Sequence, residues 1–357
     1  MSEKPCVFVT TQRGLEAVAA QRISELGYKA VPKPHGMEGI VIVYCEGDPD
    51  EAAENISREV VEAERVLPVY AFVTADLEAI CTAAKKLSSR LKPGETFAVR
   101  TTRRGAHSFT SIDVNVRAGA CIQEETGNPV NLSYPDKVFW VEIVRDTAFL
   151  SVTPGAELHK KSYPGKPIAS RLLAKTVVVQ TPYLGPLEGA RKIGVRLGRA
   201  FQTFEVKEVV VAPYKPVDVE ELDAFLSGLL EGRESRVRIQ RKTYARGVKP
   251  VPFLLYDLYQ FIRMARGRGD AVIVTSTKGR YIGEVASKLA ELYSTRKRVA
   301  VLIGSREGVP VGTYRFADLV VDVAPGLTLA TDTAATAILS AIINTVISSR
   351  QGQTGGP

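Results

Sequence analysis

The sequence predicts a multidomain protein, α+β in its N-terminal half and α/β with a mostly parallel sheet in its C-terminal half. A length of 357 residues allows two or three domains. From residue 208 onward, short apolar runs alternate with amphipathic stretches. A hairpin pattern closes the first half near residue 152 instead.

The first 75 residues follow a strand–helix–strand–helix–strand pattern, which is ferredoxin-like. The expected strands are 6–10, 40–44 and 67–73, and the expected helices are 15–26 and 51–63. We place the first domain at residues 1–75.

A second unit is expected at residues 76–153, with helix 77–91 and strand 96–100 first. Thr110 or Ser111 caps the next helix, which carries Ile112, Val116 and Ala120 on one face and ends at Gly127. Runs 138–144 and 148–152 predict a hairpin.

Residues 154–206 interrupt this pattern with five prolines. From residue 158 to 207 there are ten Lys and Arg against two acids. Helices are expected at 168–179 and 187–204. We interpret the segment as a basic connector.

The C-terminal domain is expected at residues 207–350, followed by a disordered polar tail at 351–357. Its strands are predicted at 209–212, 237–240, 271–274, 299–303 and 319–323. Its helices are predicted at 219–230, 253–265, 281–293 and 331–347.

Three glycine-bearing loops follow strands of this domain, at 275–279, 304–310 and 324–328. Ligands of open α/β sheets bind beyond the carboxyl ends of strands, where such loops lie. A pocket rich in backbone groups suits an adenosine-containing ligand, because amides and carbonyls hydrogen-bond the adenine edge. Alternatively, the glycines only form turns.

Several other functions are disfavoured. The chain has no G-x-G-x-x-G, P-loop or G-x-S-x-G motif. His35, His107 and His159 are not at metal-ligand spacing, so no metal is expected. The four widely spaced cysteines predict reduced thiols in a cytoplasmic protein. No signal peptide and no membrane span are expected.

The C-terminal motifs resemble those of SPOUT methyltransferases. They are G-S-R-E-G-V-P from Gly304, A-D at Ala317, D-x-x-P-G-x-T from Asp322 and the small-residue helix after Thr331. The resemblance implies a trefoil knot, S-adenosylmethionine held by the three loops, and a homodimer packed through this domain. The alternative interpretation is that the last helix is a core helix with no role in a dimer.

Cofactor-binding residues are implied by the same resemblance. They are Thr275, Ser276, Thr277, Ile303, Gly304, Ser305, Gly308, Val323, Pro325, Gly326, Leu327, Thr328, Thr331 and Thr333.

Residues 97–143 resemble a THUMP domain, through Phe97-Ala98-Val99-Arg100, Arg103 to Ser108, Val130-Asn131-Leu132 and Val141-Glu142-Ile143. The two resemblances together suggest an archaeal type of enzyme, and the THUMP resemblance implies binding of the tRNA acceptor end. The RNA-binding candidates are Arg100, Arg103, Arg104, His107, Ser108, Lys160 and Lys161. The alternative interpretation is that the basic loop at 100–107 is a solvated surface that binds no RNA.

Catalytic candidates are chosen for their charge: Arg246, Lys278, Arg280, Arg306 and Glu307. Arginine orients phosphate or stabilises an oxyanion, since its pKa is too high for a general base. Arg246 belongs to a basic run at 231–249 whose alternative interpretation is a solvated face.

We therefore expect an S-adenosylmethionine-dependent tRNA methyltransferase. The ribose 2′-oxygen of a nucleotide near the acceptor stem is the first expectation, and a base nitrogen is the second. The alternative from another class is a non-catalytic THUMP RNA-binding protein.

Overall fold

The structure is a computed structural model that describes residues 4–158 and 161–354. It divides into two compact units, Met1–Lys166 and Pro167–Pro357. Each unit has its own sheets and its own apolar core.

The first sheet of the N-terminal unit has the strand order β2-β3-β1-β4, and all of its pairs are antiparallel. Its elements are β1 (Lys4–Thr11), α1 (Glu16–Glu25), β2 (Lys29–Pro32), β3 (Ile40–Cys45), α2 (Pro49–Glu59) and β4 (Ala63–Pro68). The sequence did not predict β2, because this four-residue edge strand is too short and too exposed to show an apolar pattern.

The second sheet has the order β5-β8-β7-β6, with β6 and β7 parallel. Its elements are β5 (Ala71–Thr74), α3 (Leu77–Leu87), β6 (Phe97–Arg104), α4 (Ser111–Thr126), β7 (Lys137–Val144) and β8 (Thr147–Pro154). The single strand predicted at 67–73 is wrong, because the chain leaves the first sheet at Pro68 and enters the second at Ala71. An apolar run does not show where a strand changes partners.

Helix α4 begins and ends where the sequence indicated. Thr110 and Asp113 form a reciprocal capping box, and Gly127 ends the helix with φ 69°. The face with Ile112 and Val116 does not point into the core, since these residues are 70% and 67% exposed. The buried face instead carries Val114, Ala118, Cys121 and Ile122.

All four cysteines form disulfides, which corrects the expectation of reduced thiols. Cys6–Cys45 joins β1 to β3, and Cys81–Cys121 joins α3 to α4. The long sequence separations gave no signal for these pairs, because only the folded sheets and helices bring the cysteines together.

The C-terminal unit contains a parallel sheet of six strands, ordered β11-β10-β9-β13-β12-β14. The parallel pairing agrees with the mostly parallel sheet that the sequence predicts. Its strands are β9 (Thr176–Gln180), β10 (Glu208–Val211), β11 (Phe253–Leu255), β12 (Ala271–Tyr281), β13 (Val299–Ile303) and β14 (Leu319–Asp322). Its helices are α5 (Ser170–Leu173), α6 (Leu187–Phe204), α7 (Val219–Thr243), α8 (Leu258–Gly267), α9 (Ala286–Thr295) and α10 (Thr331–Thr354).

Most of the expected basic connector, from Pro167 onward, is part of this unit. Strand β9, predicted as the end of a helix at 168–179, lies in the middle of the sheet between β10 and β13. Its run of Val177, Val178 and Val179 is buried on both faces, as is typical of central parallel strands. Only α6 keeps the helix bounds expected for this segment.

Two further C-terminal predictions are wrong. The strand expected at 237–240 is the end of α7, where Val237 and Gln240 occupy one buried helical face. The helix expected at 253–265 begins at Leu258, after the short strand β11. Helix α10 extends through residues 351–354 of the expected tail, and residues 355–357 lie outside the described part of the chain.

Within residues 4–158 and 161–354, one helix is long and apolar enough to cross a membrane, and it is the stretch of α10 from Thr331 to Gln351. One face of this helix packs in the core of the C-terminal unit. The buried residues on that face are Ala334, Ala335, Ile338, Leu339, Ile342 and Val346.

Candidate functional site

The predicted glycine-bearing loops come together at one edge of the C-terminal sheet. Strands β13, β12 and β14 are parallel neighbours, so the segments after their carboxyl ends meet there. The segment predicted as a loop at 275–279 belongs to an irregular β12. Both Thr275 and Arg280 pair with Val321, so the four residues between them bulge out of the ladder.

Side-chain hydrogen bonds join these segments. The Thr275 hydroxyl donates to the Leu302 carbonyl at 2.9 Å. The Tyr314 hydroxyl donates to the Ser276 Oγ at 2.8 Å, and that oxygen also accepts the Lys278 amide at 3.1 Å. Polar contacts therefore join β12 both to β13 and to the segment that precedes β14.

Two glycines are required here by close backbone approach. A Cβ on Gly304 would lie 2.4 Å from the carbonyl carbon of Gly308. A Cβ on Gly279 would lie 2.5 Å from the carbonyl carbon of Val321. In both places a side chain would push backbone segments apart.

Gln180, at the carboxyl end of β9, was missed by the sequence analysis. It is fully buried, and its Nε2 donates to the carbonyl oxygens of Thr181 at 3.0 Å and Ile303 at 3.3 Å. Its Oε1 has no hydrogen-bond partner within the residues that the structure describes. The available signal was a polar amide directly after the run Val177–Val179. The helix predicted at 168–179 hid this signal, because it assigned the valine run to a helix instead of a strand.

The loop after β13 is tied to its neighbour β9. The amide of Ser305 donates to the Thr181 Oγ1 at 2.7 Å, and the Ser305 hydroxyl donates to the Thr181 carbonyl at 2.6 Å. These bonds fix the direction in which Arg306 and Glu307 leave the sheet.

Glu307 is held as a carboxylate. It accepts hydrogen bonds from Lys215 Nζ at 2.6 Å and from the Tyr214 hydroxyl at 3.0 Å. The bond from Lys215, then that from Tyr214, hold the pKa of Glu307 below its usual range. Burial, then the bond to Glu307, raises the pKa of Tyr214. Glu307 is therefore a weak general base in this arrangement.

A cleft of about 430 Å³ lies between the loops that follow β9, β10 and β13. Arg306 is one of its walls, with its guanidinium 5.9 Å from the ring centre of Tyr183. Lys278 and Arg280 lie on the β12 segment, and Arg280 pairs with Glu284 at 3.4 Å on the surface. These cations are exposed and lie on the same sheet edge as Arg306.

The remaining cofactor candidates follow β14. Val323 is half-buried, whereas the stretch 325–328 is exposed, with Gly326 at φ 82° in a turn. Thr331 and Thr333 lie in the first turn of α10, next to Asp332, which pairs with Arg196 of α6 at 2.6 Å.

Arg246 does not join the other catalytic candidates. Its Nη2 binds Glu205 at 2.7 Å, and Glu205 precedes β10, at the amino edge of the parallel sheet. The strand expected at 237–240, which would have placed Arg246 near the cleft, is part of helix α7. Within the chain, Arg246 therefore lies at the edge opposite to the glycine-bearing loops.

A second polar cluster lies in the N-terminal unit, where β6 leads into α4. Thr101, Arg103, His107 and Asn115 each have a buried side-chain atom without a hydrogen-bond partner among the described residues. The unpartnered atoms are Thr101 Oγ1, Arg103 Nε, His107 Nδ1 and Asn115 Oδ1. Buried polar atoms are normally paired with protein groups or with ordered water, so these four atoms can still bond a further polar group.

The other RNA-binding candidates have different surroundings. Arg100 donates to the Leu132 carbonyl at 2.5 Å, at the edge of the sheet. Arg104 binds the buried carboxylate of Glu142 at 2.6 Å. Ser108 and Lys161 are exposed. Lys160 lies outside the described residues.

No group of three or more His, Cys, Asp and Glu side chains is placed to hold a metal ion in the described parts of the chain.

Comparison with known proteins finds a matching family model in each unit. The family described as AF2226-like SPOUT RNA methylase fused to THUMP matches residues 170–354, and the THUMP domain matches residues 74–153. This chain belongs to that SPOUT methylase family. It is therefore an S-adenosylmethionine-dependent RNA methyltransferase with a THUMP domain. The matched SPOUT region begins ahead of β9, in agreement with the place of β9 inside the sheet.

Three relatives illustrate what this SPOUT methylase resembles. An uncharacterised protein of Methanocaldococcus jannaschii is 40% identical over 94% of this chain and 92% of its own length. A probable tRNA sulfurtransferase of Saccharolobus solfataricus is 30% identical over 39% of this chain and 35% of its own. A tRNA (guanine(6)-N2)-methyltransferase of Archaeoglobus fulgidus is 32% identical over 43% of this chain and 41% of its own.

Proposed function

We propose that this SPOUT methylase transfers a methyl group from S-adenosylmethionine to a tRNA that its THUMP domain binds at the acceptor end. The convergence of three glycine-bearing segments at the ends of β13, β12 and β14 carries the methyl-transfer part. The partial relatives named for tRNA modification support tRNA as the substrate class.

The residues of the sheet edge fit the cofactor. Backbone exposed by Gly304 and Gly279 suits the adenine edge and ribose of an adenosine ligand. The unpartnered Oε1 of Gln180 adds a buried acceptor beside Ser305. When bound there, S-adenosylmethionine supplies an electrophilic methyl group. The loops 304–308 and 325–328, with Ser276, are the residues that we propose to hold it.

We propose a base nitrogen as the methylated atom, which is the second of the two sequence-based expectations. A ribose hydroxyl is a very weak acid and needs a strong base, whereas Glu307 is engaged by Lys215 and its pKa is lowered. The relative named a guanine N2-methyltransferase supports a nitrogen target. Arg306 and Lys278 then orient phosphates of the substrate rather than remove a proton.

Several architectural expectations remain part of this proposal. The βαββαβ order and the strand sequence β2-β3-β1-β4 support a ferredoxin-like N-terminal domain. The β12 bulge pressed against Val320 and Val321 supports a threaded, trefoil-knotted C-terminal region. We further propose a homodimer packed through the SPOUT domain, and action in the cytoplasm.

The test is transfer of radiolabelled methyl from S-adenosylmethionine to unmodified tRNA transcripts, followed by nucleoside analysis. We expect a labelled base. A labelled 2′-O-methyl nucleoside would move the target to the ribose, and tRNA binding without label or cofactor binding would favour the non-catalytic RNA-binding protein.

A matched pair of variants connects the activity to the proposed pocket. Gly304→Ala places a methyl group 2.4 Å from the Gly308 backbone and should lower cofactor affinity about tenfold or more. Gly312→Ala points into open space and serves as the control. Equal cofactor affinity in the two variants would show that the pocket lies elsewhere.

A further inference from the structure

Four tyrosines from three separate segments of the sequence lie at the carboxyl edge of β9, β10 and β11. Tyr183 follows β9, Tyr214 follows β10, Tyr256 follows β11 and Tyr259 lies in the first turn of α8. We call this group the tyrosine edge. It continues the sheet edge on which loop 304–308 lies, because β9 pairs with β13.

Backbone hydrogen bonds fix the position of the outer two tyrosines. The Tyr256 amide donates to the Val211 carbonyl at 3.1 Å, and the Leu258 amide donates to the Pro213 carbonyl at 2.9 Å. Tyr256 and Tyr259 therefore adjoin the loop that carries Tyr214. Their side chains remain open to solvent, with 41% and 42% of their surfaces exposed.

Cations accompany the inner two tyrosines. Lys215 Nζ lies 6.0 Å from the ring centre of Tyr214, and the Arg306 guanidinium lies 5.9 Å from that of Tyr183. Tyr214, Lys215 and Arg306 also line the cleft of about 430 Å³. Aromatic faces and cations thus alternate along one edge and lead into the cleft beside loop 304–308. Lys215 pairs there with Glu307, and Arg306 is the second cation of the cleft.

This composition fits single-stranded RNA better than a duplex. Bases of a single strand offer open faces that stack on aromatic rings, while lysine and arginine neutralise the phosphates. A duplex keeps its bases stacked on one another and presents mainly phosphate and groove edges. The cations also distinguish the surface from an apolar docking face for a protein.

We propose that the tyrosine edge binds a single-stranded segment of the substrate RNA by base stacking, next to the target nucleotide. This inference rests on the proposed function, because it assumes that an RNA enters the cleft beside the methyl-transfer loops. It adds that the substrate must be unpaired, or become unpaired, on one side of the target.

The test compares Tyr256→Ala/Tyr259→Ala with Phe316→Ala in the full-length chain. Phe316 is a matched control, since it is 46% exposed and lies 5.8 Å from the guanidinium of Arg266. It precedes β14 and therefore lies at the amino edge of the same sheet. Affinity is measured by fluorescence anisotropy with a short labelled single-stranded RNA and with the matching duplex, at several salt concentrations.

We expect the double variant to bind the single strand about tenfold more weakly, because it loses two rings on which bases stack. The salt slope should stay unchanged, since no phosphate contact is removed. Duplex affinity should not change. A loss no greater than that of Phe316→Ala would overturn the proposal. A changed oligomeric state in size-exclusion chromatography with light scattering would also overturn it, by assigning the edge to contacts between copies of the chain.

The binding measurement uses no methyl donor, so it separates this inference from the proposed function. Weakened single-strand binding in an enzyme that labels no tRNA would leave the tyrosine edge standing and reject the proposed substrate. Labelled tRNA with unchanged single-strand binding would support the proposed substrate and reject the tyrosine edge as an RNA-binding surface.

Discussion

At the scale of single residues, neighbouring arginines have different roles. Successive side chains of a strand point to opposite faces, so Arg103 and Arg104 of β6 leave the sheet in opposite directions. Arg104 binds Glu142, which is 1% exposed and also contacts Arg65 at 3.3 Å. Arg103 has an unpartnered Nε in the polar cluster beside α4. A run of basic residues in a sequence does not separate these two roles.

The two arginines predict two different phenotypes. Arg103→Ala should weaken tRNA binding and lower the salt slope by about one phosphate contact, without loss of thermal stability. Arg104→Ala leaves a buried carboxylate with one remaining partner and should lower the free energy of unfolding by roughly 3 kcal/mol. Salt-dependent binding and urea unfolding of both variants check this. If both variants lose only tRNA affinity, the structural role of Arg104 is wrong.

Glu16 predicts a specific pH dependence of stability. It is buried and accepts amide hydrogen bonds from Gly39 at 2.6 Å and Gly14 at 3.0 Å. The bond from Gly39, the largest effect, lowers the pKa of Glu16 to about 2. Because the folded pKa lies below the unfolded one, the carboxylate stabilises the fold fully above the unfolded pKa. That contribution is lost as the pH falls from 4.5 towards about 2.

The difference in melting temperature between the wild type and Glu16→Gln should therefore be constant near neutral pH and shrink through that acidic range. Glu25→Gln, an exposed change on the same helix, is the control. A difference that does not vary with pH would contradict the role of the Glu16 carboxylate.

At the scale of elements, α6 and α7 pack through glycines. A Cβ on Gly198 would lie 2.1 Å from the Leu229 carbonyl oxygen, and one on Gly232 would lie 2.1 Å from that of Val195. Gly194 and Gly228 are similarly enclosed. The two backbones are in direct contact, and this brings the strands that the helices connect, β9, β10 and β11, under one helical layer.

Gly198→Ala should force α6 and α7 apart and lower the free energy of unfolding by about 1–3 kcal/mol or more. Gly189→Ala, in the first turn of α6, meets open space and should be neutral or raise stability by up to about 1 kcal/mol. Chemical denaturation of both variants tests the packing. Equal stabilities would mean that the helices can separate at no cost.

At the scale of the whole molecule, covalent links restrict the N-terminal unit. Cys81–Cys121 closes a segment with a sequence separation of 40 between α3 and α4. By the chain-entropy relation, such a link stabilises the fold by roughly 4 kcal/mol through the unfolded state.

Cys81→Ser should therefore lower the urea midpoint of the N-terminal unit markedly, and reductant should have the same effect on the wild type. A thiol titration in denaturant without reductant is expected to find no free cysteine. Four free thiols would contradict both disulfides and support the reduced cysteines that the sequence predicts.

The sequence by itself determined the alternation of strands and helices from residue 271 onward, the glycine-bearing motifs and the two ends of α4. All of these are local, because periodicity, turn chemistry and caps depend on residues a few positions apart. Only the tertiary structure decided which strands pair. It placed β9 at the centre of the sheet, separated Arg246 from the other catalytic candidates and joined the cysteines.

The surroundings of Gln180 and the tyrosine edge are also set by the tertiary structure. Their chemistry depends on neighbours more than thirty residues away, such as Ile303 for Gln180. The apolar periodicity of a sequence indicates which face of an element is apolar, but it does not indicate which distant segment packs on that face.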